Sequence, residues 1–162
     1  MEDKKNIYEL TKSGVLELKE QLHHLTEIRR IENLKILKEA REQGDLSENA
    51  DYDAARNEQA LIENEILKIK NILKKIKIIK SLKNKEVNIG KLVELNFLEK
   101  NIKKSFYLVG ILETDPSLNK ISIDCPLGKG IRGHQVGDKI TIQSETGKNF
   151  QVEILKVEQH EL

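Results

Sequence analysis

Cysteine is almost missing from this chain: Cys125 is alone among 162 residues. A single cysteine excludes an intrachain disulfide and any cysteine-rich zinc site. Aromatic residues are scarce too, with three Tyr, three Phe and no Trp, which argues against a wide stacking platform for single-stranded nucleic acid. Long apolar runs are absent. The longest, Phe106 to Leu112, has seven residues, against about 20 for a bilayer span, so no membrane role is expected. The start, MEDKKNIYEL, has no apolar segment of the signal-peptide kind, and the expected location is cytoplasmic. Proline occurs only at 116 and 126, and before residue 90 glycine occurs only at 14 and 44. Breakers therefore crowd the second half, which predicts long helices first and a turn-rich β domain afterwards.

Charge is plentiful, at 34% of residues, and nearly balanced, at +1 overall. Its distribution is uneven. Glu39 to Glu65 holds nine acids and two bases, whereas Leu67 to Lys85 holds eight lysines and no acid. Adjoining blocks of opposite sign make a steep gradient. The lysine block, Lys68 to Lys85, reads equally as a solvated face enriched by AT-rich codons or as a functional patch.

The helical half divides at Gly44. Thr11 is the expected N-cap of the first helix, and Val15, Leu18, Leu22 and Leu25 follow at spacings of three and four. Arg29, Arg30 and Asn33 interrupt that stripe before Leu34, Ile36, Leu37 and Ala40. The second helix carries a heptad seam through Tyr52, Ala55, Gln59, Ile62, Ile66, Ile69, Leu73 and Ile76, polar at Gln59. Two such helices joined by a short turn fold back antiparallel, and about 32 residues per arm give a rod of about 48 Å. Beyond Ser81–Asn88, read as a linker, five apolar runs predict strands at Lys91–Leu95, Phe106–Leu112, Lys120–Asp124, Lys139–Ile142 and Phe150–Val157. Pro126 to Arg132 reads as a short helix. The predicted class is α+β: residues 1–80 as an antiparallel two-helix coiled coil, 81–88 as linker, and 89–162 as a compact β-rich domain that folds as a unit of its own.

Two motifs dissolve on inspection. His23 and His24 are helix neighbours that point apart, and His134 and His160 lack ligand-spaced partners. Gly128-x-Gly130-x-x-Gly133 matches a dinucleotide fingerprint literally, but a turn at Gly137-Asp138 follows where a long helix is required. The turn segment GDLSENADY, Gly44 to Tyr52, is different. Asp45 and Glu48 have the N-cap and N3 spacing of a capping box. The same spacing places two carboxylates on one side of an exposed turn, where they suit a hard cation such as Mg²⁺. Spacing alone favours the cap and leaves both roles open.

The segment EAREQGDLSENADYDAARNEQ, Glu39 to Gln59, closely resembles the hairpin tip of the bacterial transcript cleavage factors of the GreA family. YELTKSGVLELKEQLHHL is similar to that family's first helix, and ISIDCPLGKGIRGHQVGDKITI to its C-terminal signature. The likeness runs from about Tyr8 to Val157. It implies an N-terminal antiparallel coiled coil with an FKBP-like C-terminal domain. It further implies a DNA-binding transcription elongation factor that docks as a monomer at the rim of the RNA polymerase secondary channel. Its acidic tip would pass down that channel and stimulate cleavage of backtracked nascent RNA near the 3′ end. Asp45 and Glu48 match the two functional tip acids, which assist Mg²⁺ and water in the polymerase active site. Arg41 and Arg56 match RNA-proximal bases, and Asp124 and Pro126 fall in the polymerase-docking region. The resemblance thus implies no self-sufficient active site and no cofactor beyond the Mg²⁺ shared with polymerase. Ile31, where relatives often have proline, Cys125, where serine is common, and the dense lysine block depart from the pattern. Two other readings are a channel-binding inhibitor without cleavage activity, which the intact Asp45 and Glu48 argue against, and a coiled-coil adaptor, which leaves the charged tip without a role.

Overall fold

The computed structural model describes residues 7–44, 49–80 and 84–159. Two compact units emerge: Leu16–Lys75, and a second made of Met1–Val15 together with Ile76–Leu162.

The first unit is helical. Its first arm holds most of α1 (Lys12–His24), a π-helical turn at Leu25–Arg29 and α2 (Arg30–Glu42). The π turn, closed by the Arg30 N–H donating to the Leu25 carbonyl, has no counterpart in the sequence expectations. The second arm is α3 (Ala50–Leu73), whose 24 residues span about 36 Å. The arms run antiparallel: from position 33 back to 21 on the first arm, the partners advance from 55 to 65 on the second. Asn33 meets Ala55, Arg29 meets Glu58, Arg30 meets Glu63, and Gln21 meets Glu65. Leu25, Ile62, Ile66 and Ile69 form the buried seam, with Leu18, Leu22 and Leu73 packed beside it. The heptad stops at Leu73. Ile76, expected as the last seam position, lies in a strand of the other unit.

The residues that broke the first stripe make the specific contacts. Arg30 grips the Glu63 carboxylate with Nε at 2.6 Å and with its terminal nitrogen. That bond holds the Glu63 carboxyl below the usual range. Both side chains are well exposed, so the pair fixes alignment more than it stabilises. Asn33 is buried, and its Nδ2 donates to the Ala55 carbonyl at 3.1 Å. A single buried amide in an apolar seam fixes register at some cost in stability. By contrast Ile28, Ile31, Leu34 and Ile36 stay exposed.

Gln59 is half-buried among seam residues. Gln59→Leu should therefore add roughly 1 kcal/mol by burying more apolar surface and raise the melting midpoint by a few degrees. Thermal unfolding monitored by helix signal checks this; an unchanged or lower midpoint would contradict it.

The second unit contains a five-stranded mixed sheet, order β5-β4-β3-β7-β6. Its strands are β3 (Lys91–Phe97), β4 (Ile102–Val109), β5 (Lys120–Ser122), β6 (Lys139–Gln143) and β7 (Asn149–Gln159). Within this sheet only β4 and β5 pair in parallel. Alternation places Val93 and Leu95 in a core shared with Leu108, Val152 and Ile154, and α4 (Pro126–Ile131) adds Ile131. Gly128 and Gly130 permit that packing: a Cβ on Gly128 would sit 2.4 Å from the Ser122 carbonyl, and one on Gly130 2.9 Å from Ile142. The literal dinucleotide fingerprint is thus a helix-packing device, closed by Gly133 at φ +79°.

The expected boundaries do not follow these units. Two strands absent from the sequence expectations, β1 (Tyr8–Leu10) and β2 (Ile76–Ile78), pair in parallel with Tyr8 opposite Ile76. Leu10 is fully buried, and the Ile79 N–H donates to its carbonyl at 2.9 Å. Thr11 caps α1, accepting from the Gly14 N–H at 3.1 Å, and its own N–H donates to the Glu113 carboxylate at 2.9 Å. A side chain at Gly14 would collide with Glu113. Within the stretch read as linker, Val87 is fully buried and exchanges backbone hydrogen bonds with His134 and Gly133. Lys91, buried in β3, donates from Nζ to the Asn84 carbonyl, and burial pushes its ammonium below the ordinary lysine range.

Candidate functional site

The turn of the hairpin is built from its two flanks. On one side α2 ends at Glu42, Gln43 leaves the helical region at ψ 1°, and Gly44 takes φ +113°. That left-handed value favours glycine. On the other side Asn49 is the N-cap of α3. Its Oδ1 accepts from the Tyr52 N–H at 3.1 Å, while its Nδ2 donates to the Ala40 carbonyl at 2.7 Å. One amide therefore satisfies an orphan donor at the helix start and ties the two arms together. Ala40 and Ala55 are buried beneath it; small side chains let the arms approach closely at this end.

This geometry corrects the capping expectation. The helix starts at Ala50 with Asn49 as cap and Tyr52 at the N3 position, so the box does not begin at Asp45. Asp45 and Glu48 themselves lie outside the described residues. The acid-x-x-acid pattern concealed the true cap, although asparagine directly before a helical run was the available signal.

Around the turn the described acids Glu39, Glu42, Asp51 and Asp53 are all exposed. Asp51 and Asp53 occupy the first turn of α3, where a negative charge meets the positive end of the helix dipole. Glu42 reaches Lys38 only at 4.0 Å. Arg41 stands in the last turn of α2 and Arg56 in α3, both exposed and without an ion-pair partner among the described residues. The turn thus presents carboxylates at its end and two guanidiniums just behind. Among the described residues no three His, Cys, Asp or Glu side chains gather as a metal site.

Asn49→Ala should loosen this end. Losing the cap costs about 1 to 2 kcal/mol, enough to lower hydrogen-exchange protection of the Tyr52 amide roughly tenfold. Asn49→Asp keeps the acceptor but loses the donor to Ala40, so it should fall between. Equal protection in all three proteins would show that Asn49 does not hold the turn.

The remaining sequence-predicted residues fall in the sheet-bearing unit. Asp124 is exposed and Pro126 half-buried at the first position of α4. Ser122 holds the Asp124 N–H at 3.0 Å, and Cys125 Sγ accepts from the Gly128 N–H at 3.3 Å as the cap of α4. Cysteine thus performs the capping that serine would. Asp124 borders a shallow groove of about 260 Å³ with Ile7, Tyr8, Lys77 and Ile111; Ile7 and Ile111 are among the most exposed apolar residues. Of the lysine block, Lys77 pairs with Glu9 at 3.3 Å, while Lys68, Lys70, Lys74 and Lys75 remain solvated near the end of α3. His134 pairs with Asp138 at 3.1 Å and forms no metal site. No described helix is long and apolar enough to cross a membrane.

Comparison with known proteins covers both halves. The family model described as "Transcription elongation factor, N-terminal" matches residues 8–78, and that described as "Transcription elongation factor, GreA/GreB, C-term" matches residues 82–159. A protein of Acholeplasma laidlawii named transcription elongation factor GreA is 57% identical over 93% of this chain and 96% of its own length. A namesake from Metamycoplasma arthritidis is 41% identical over 97% of this chain and 99% of its own. The transcription elongation factor GreA 2 of Lactiplantibacillus plantarum is 40% identical over 93% and 95%.

Proposed function

This chain belongs to the GreA/GreB family of transcription elongation factors, and on that premise we propose that it makes RNA polymerase cleave backtracked RNA. The sheet-bearing unit docks on polymerase through the surface around Asp124 and Pro126. The hairpin enters the secondary channel and brings Asp45 and Glu48 to the active site, where the 3′ end of the nascent RNA lies.

The observation that carries this reading is the Asn49 cap. With α3 capped from position 49 and the arms tied through Ala40, the helix start does not require Asp45 or Glu48. Capping α3 therefore makes no demand on either carboxylate. A Mg²⁺ ion shared with polymerase supplies charge neutralisation and an activated water for phosphodiester hydrolysis. Carboxylates are the hard oxygen donors such an ion takes. Two are fewer than its coordination shell requires, so polymerase contributes the rest and the chain has no turnover alone. Arg41 and Arg56 stand where a phosphate backbone beside the tip would meet them as positive charges. The factor acts as a monomer in the cytoplasm, with its contact to the DNA-bound complex made through polymerase.

Tip placement is directly testable. Gly44→Cys, in a chain whose Cys125 is replaced by serine, carries an iron chelate that generates hydroxyl radicals. In backtracked complexes the expected cuts fall at the RNA 3′ end. Cuts confined to the polymerase exterior, in complexes where the chain is bound, would overturn the insertion.

A further inference from the structure

All three phenylalanines of the chain meet at one end of the five-stranded sheet. Phe97 closes β3, Phe106 lies in β4 and Phe150 is the second residue of β7. The Phe97 and Phe150 rings stack with centroids 5.9 Å apart, and Phe106 meets Phe97 edge-on at 6.3 Å. The cross-strand register puts them on the core face, since Phe106 pairs with Val93 and Phe150 with Ile142. Yet they are only half-buried. They floor an open basin of about 590 Å³ between the β3–β4 and β6–β7 turns.

The rim of this basin is basic. Lys100, Lys104 and Lys148 line it with a single acid, Glu99. All three lysines are exposed, and none has a carboxylate partner among the described residues. Ile102, 44% exposed, extends the apolar floor. Aromatic surface in a concave site with an unneutralised rim is the composition of a protein-binding hot spot, and the charge specifies the sign of what fits.

The basin is also separate from the groove beside Asp124. Strand β5 pairs with β4 only at Tyr107–Val109, and the Ile123 N–H donates to the Val109 carbonyl. Asp124 therefore follows the Val109 end of β4, while the basin sits at the Ile102 end. Seven strand steps separate these residues, roughly 23 Å.

We propose that this basin is a second interaction site, which takes an extended acidic peptide segment of a partner protein with an aromatic or aliphatic anchor. The anchor rests on the three rings, and flanking carboxylates pair with the lysines. A nucleobase fits less well. Phe97 and Phe150 already stack on each other, and Phe106 offers its edge to Phe97, so the rings engage one another more than they form an open platform.

The test is chemical-shift mapping on the full chain with three probes: a capped hexapeptide with a Leu-Phe centre and two acids on each side, the same peptide with lysines for the acids, and a ten-nucleotide oligouridylate. The acidic peptide is expected to shift Phe97, Phe106 and Phe150 saturably. The double change Lys104→Glu and Lys148→Glu, on exposed side chains that form no ion pair among the described residues, should weaken it about tenfold, within what two rim charges supply. The proposal is overturned by no saturable shift at these rings, by equal binding of the lysine peptide, by indifference to the double change, or by tighter binding of the oligouridylate, which would make the basin a nucleic-acid site.

Discussion

Asp45→Asn and Glu48→Gln are each expected to cut stimulated RNA cleavage by about 100-fold or more, a loss comparable to removing one preorganised group from an active site. Each change keeps size and most hydrogen bonding but exchanges a charged oxygen donor for a poor one. Binding to polymerase should persist, because Asp124 and Pro126, the proposed docking residues, lie in the other compact unit. Stability should hold or rise slightly, since the cap is Asn49 and the acids around the turn repel one another. Added Mg²⁺ should recover part of the activity if the lost function is metal retention. Cleavage and polymerase binding must be measured together on both variants. Full cleavage by either variant would refute its catalytic role. Loss of cleavage accompanied by loss of binding would refute the division of labour between tip and docking unit.

A fragment of residues 89–162 is expected to melt at least about 15 °C below a chain in which a short flexible linker joins Val15 to Ile76. The reason lies in what the fragment leaves out. Val87 and Leu10 are fully buried, and burying such a side chain is worth about 1.5 to 3 kcal/mol each, against a total of about 5 to 15 for a domain. The fragment also loses the hydrogen bonds of Val87 to His134 and Gly133 and the Asn84 partner of Lys91. The hairpin-deleted chain keeps all of these. It should compete with the full protein for polymerase while giving no cleavage. Calorimetry of the two proteins decides: equal midpoints would mean that residues 7–15 and 76–88 are not part of the folded unit.

The sequence carried the local signals well where one physical preference dominated. Thr11 was legible as a cap, Gly44 as a stop, Ala55 to Leu73 as a seam, and Val93 with Leu95 as a strand face. It misled where a distant partner decided. Ile76 continues the heptad spacing numerically, but a β-branched pair at 76 and 78 finds Tyr8 to Leu10 across the intervening hairpin, and no local pattern announces that pairing. The run Phe106–Leu112 read as one strand. In the fold β4 ends at Val109, and position 110 must be glycine, since a Cβ there would lie 2.0 Å from the Glu9 carbonyl oxygen, again a contact from far along the chain. On the other side β4 extends back to Ile102 through Lys103 and Lys104, exposed residues beyond the reach of β5. Lysines there suit an open strand edge, yet they hid the strand from an apolar-run reading. At the turn, a real Asn49 cap stood one residue after a sequence pattern that imitated a capping box. The polar interruption at Asn33 looked like a defect in the stripe and is its register pin.

What the full chain does to a stalled polymerase separates a cleavage factor from an inhibitor. Backtracked complexes carrying RNA labelled at the 5′ end, held at limiting Mg²⁺, should yield transcripts shortened from the 3′ end within the time of mixing and should then resume elongation when nucleotides are added. Transcripts that keep their full length while the chain is bound to polymerase, with elongation slowed, would contradict the proposed cleavage function and mark the chain as an inhibitor of polymerase.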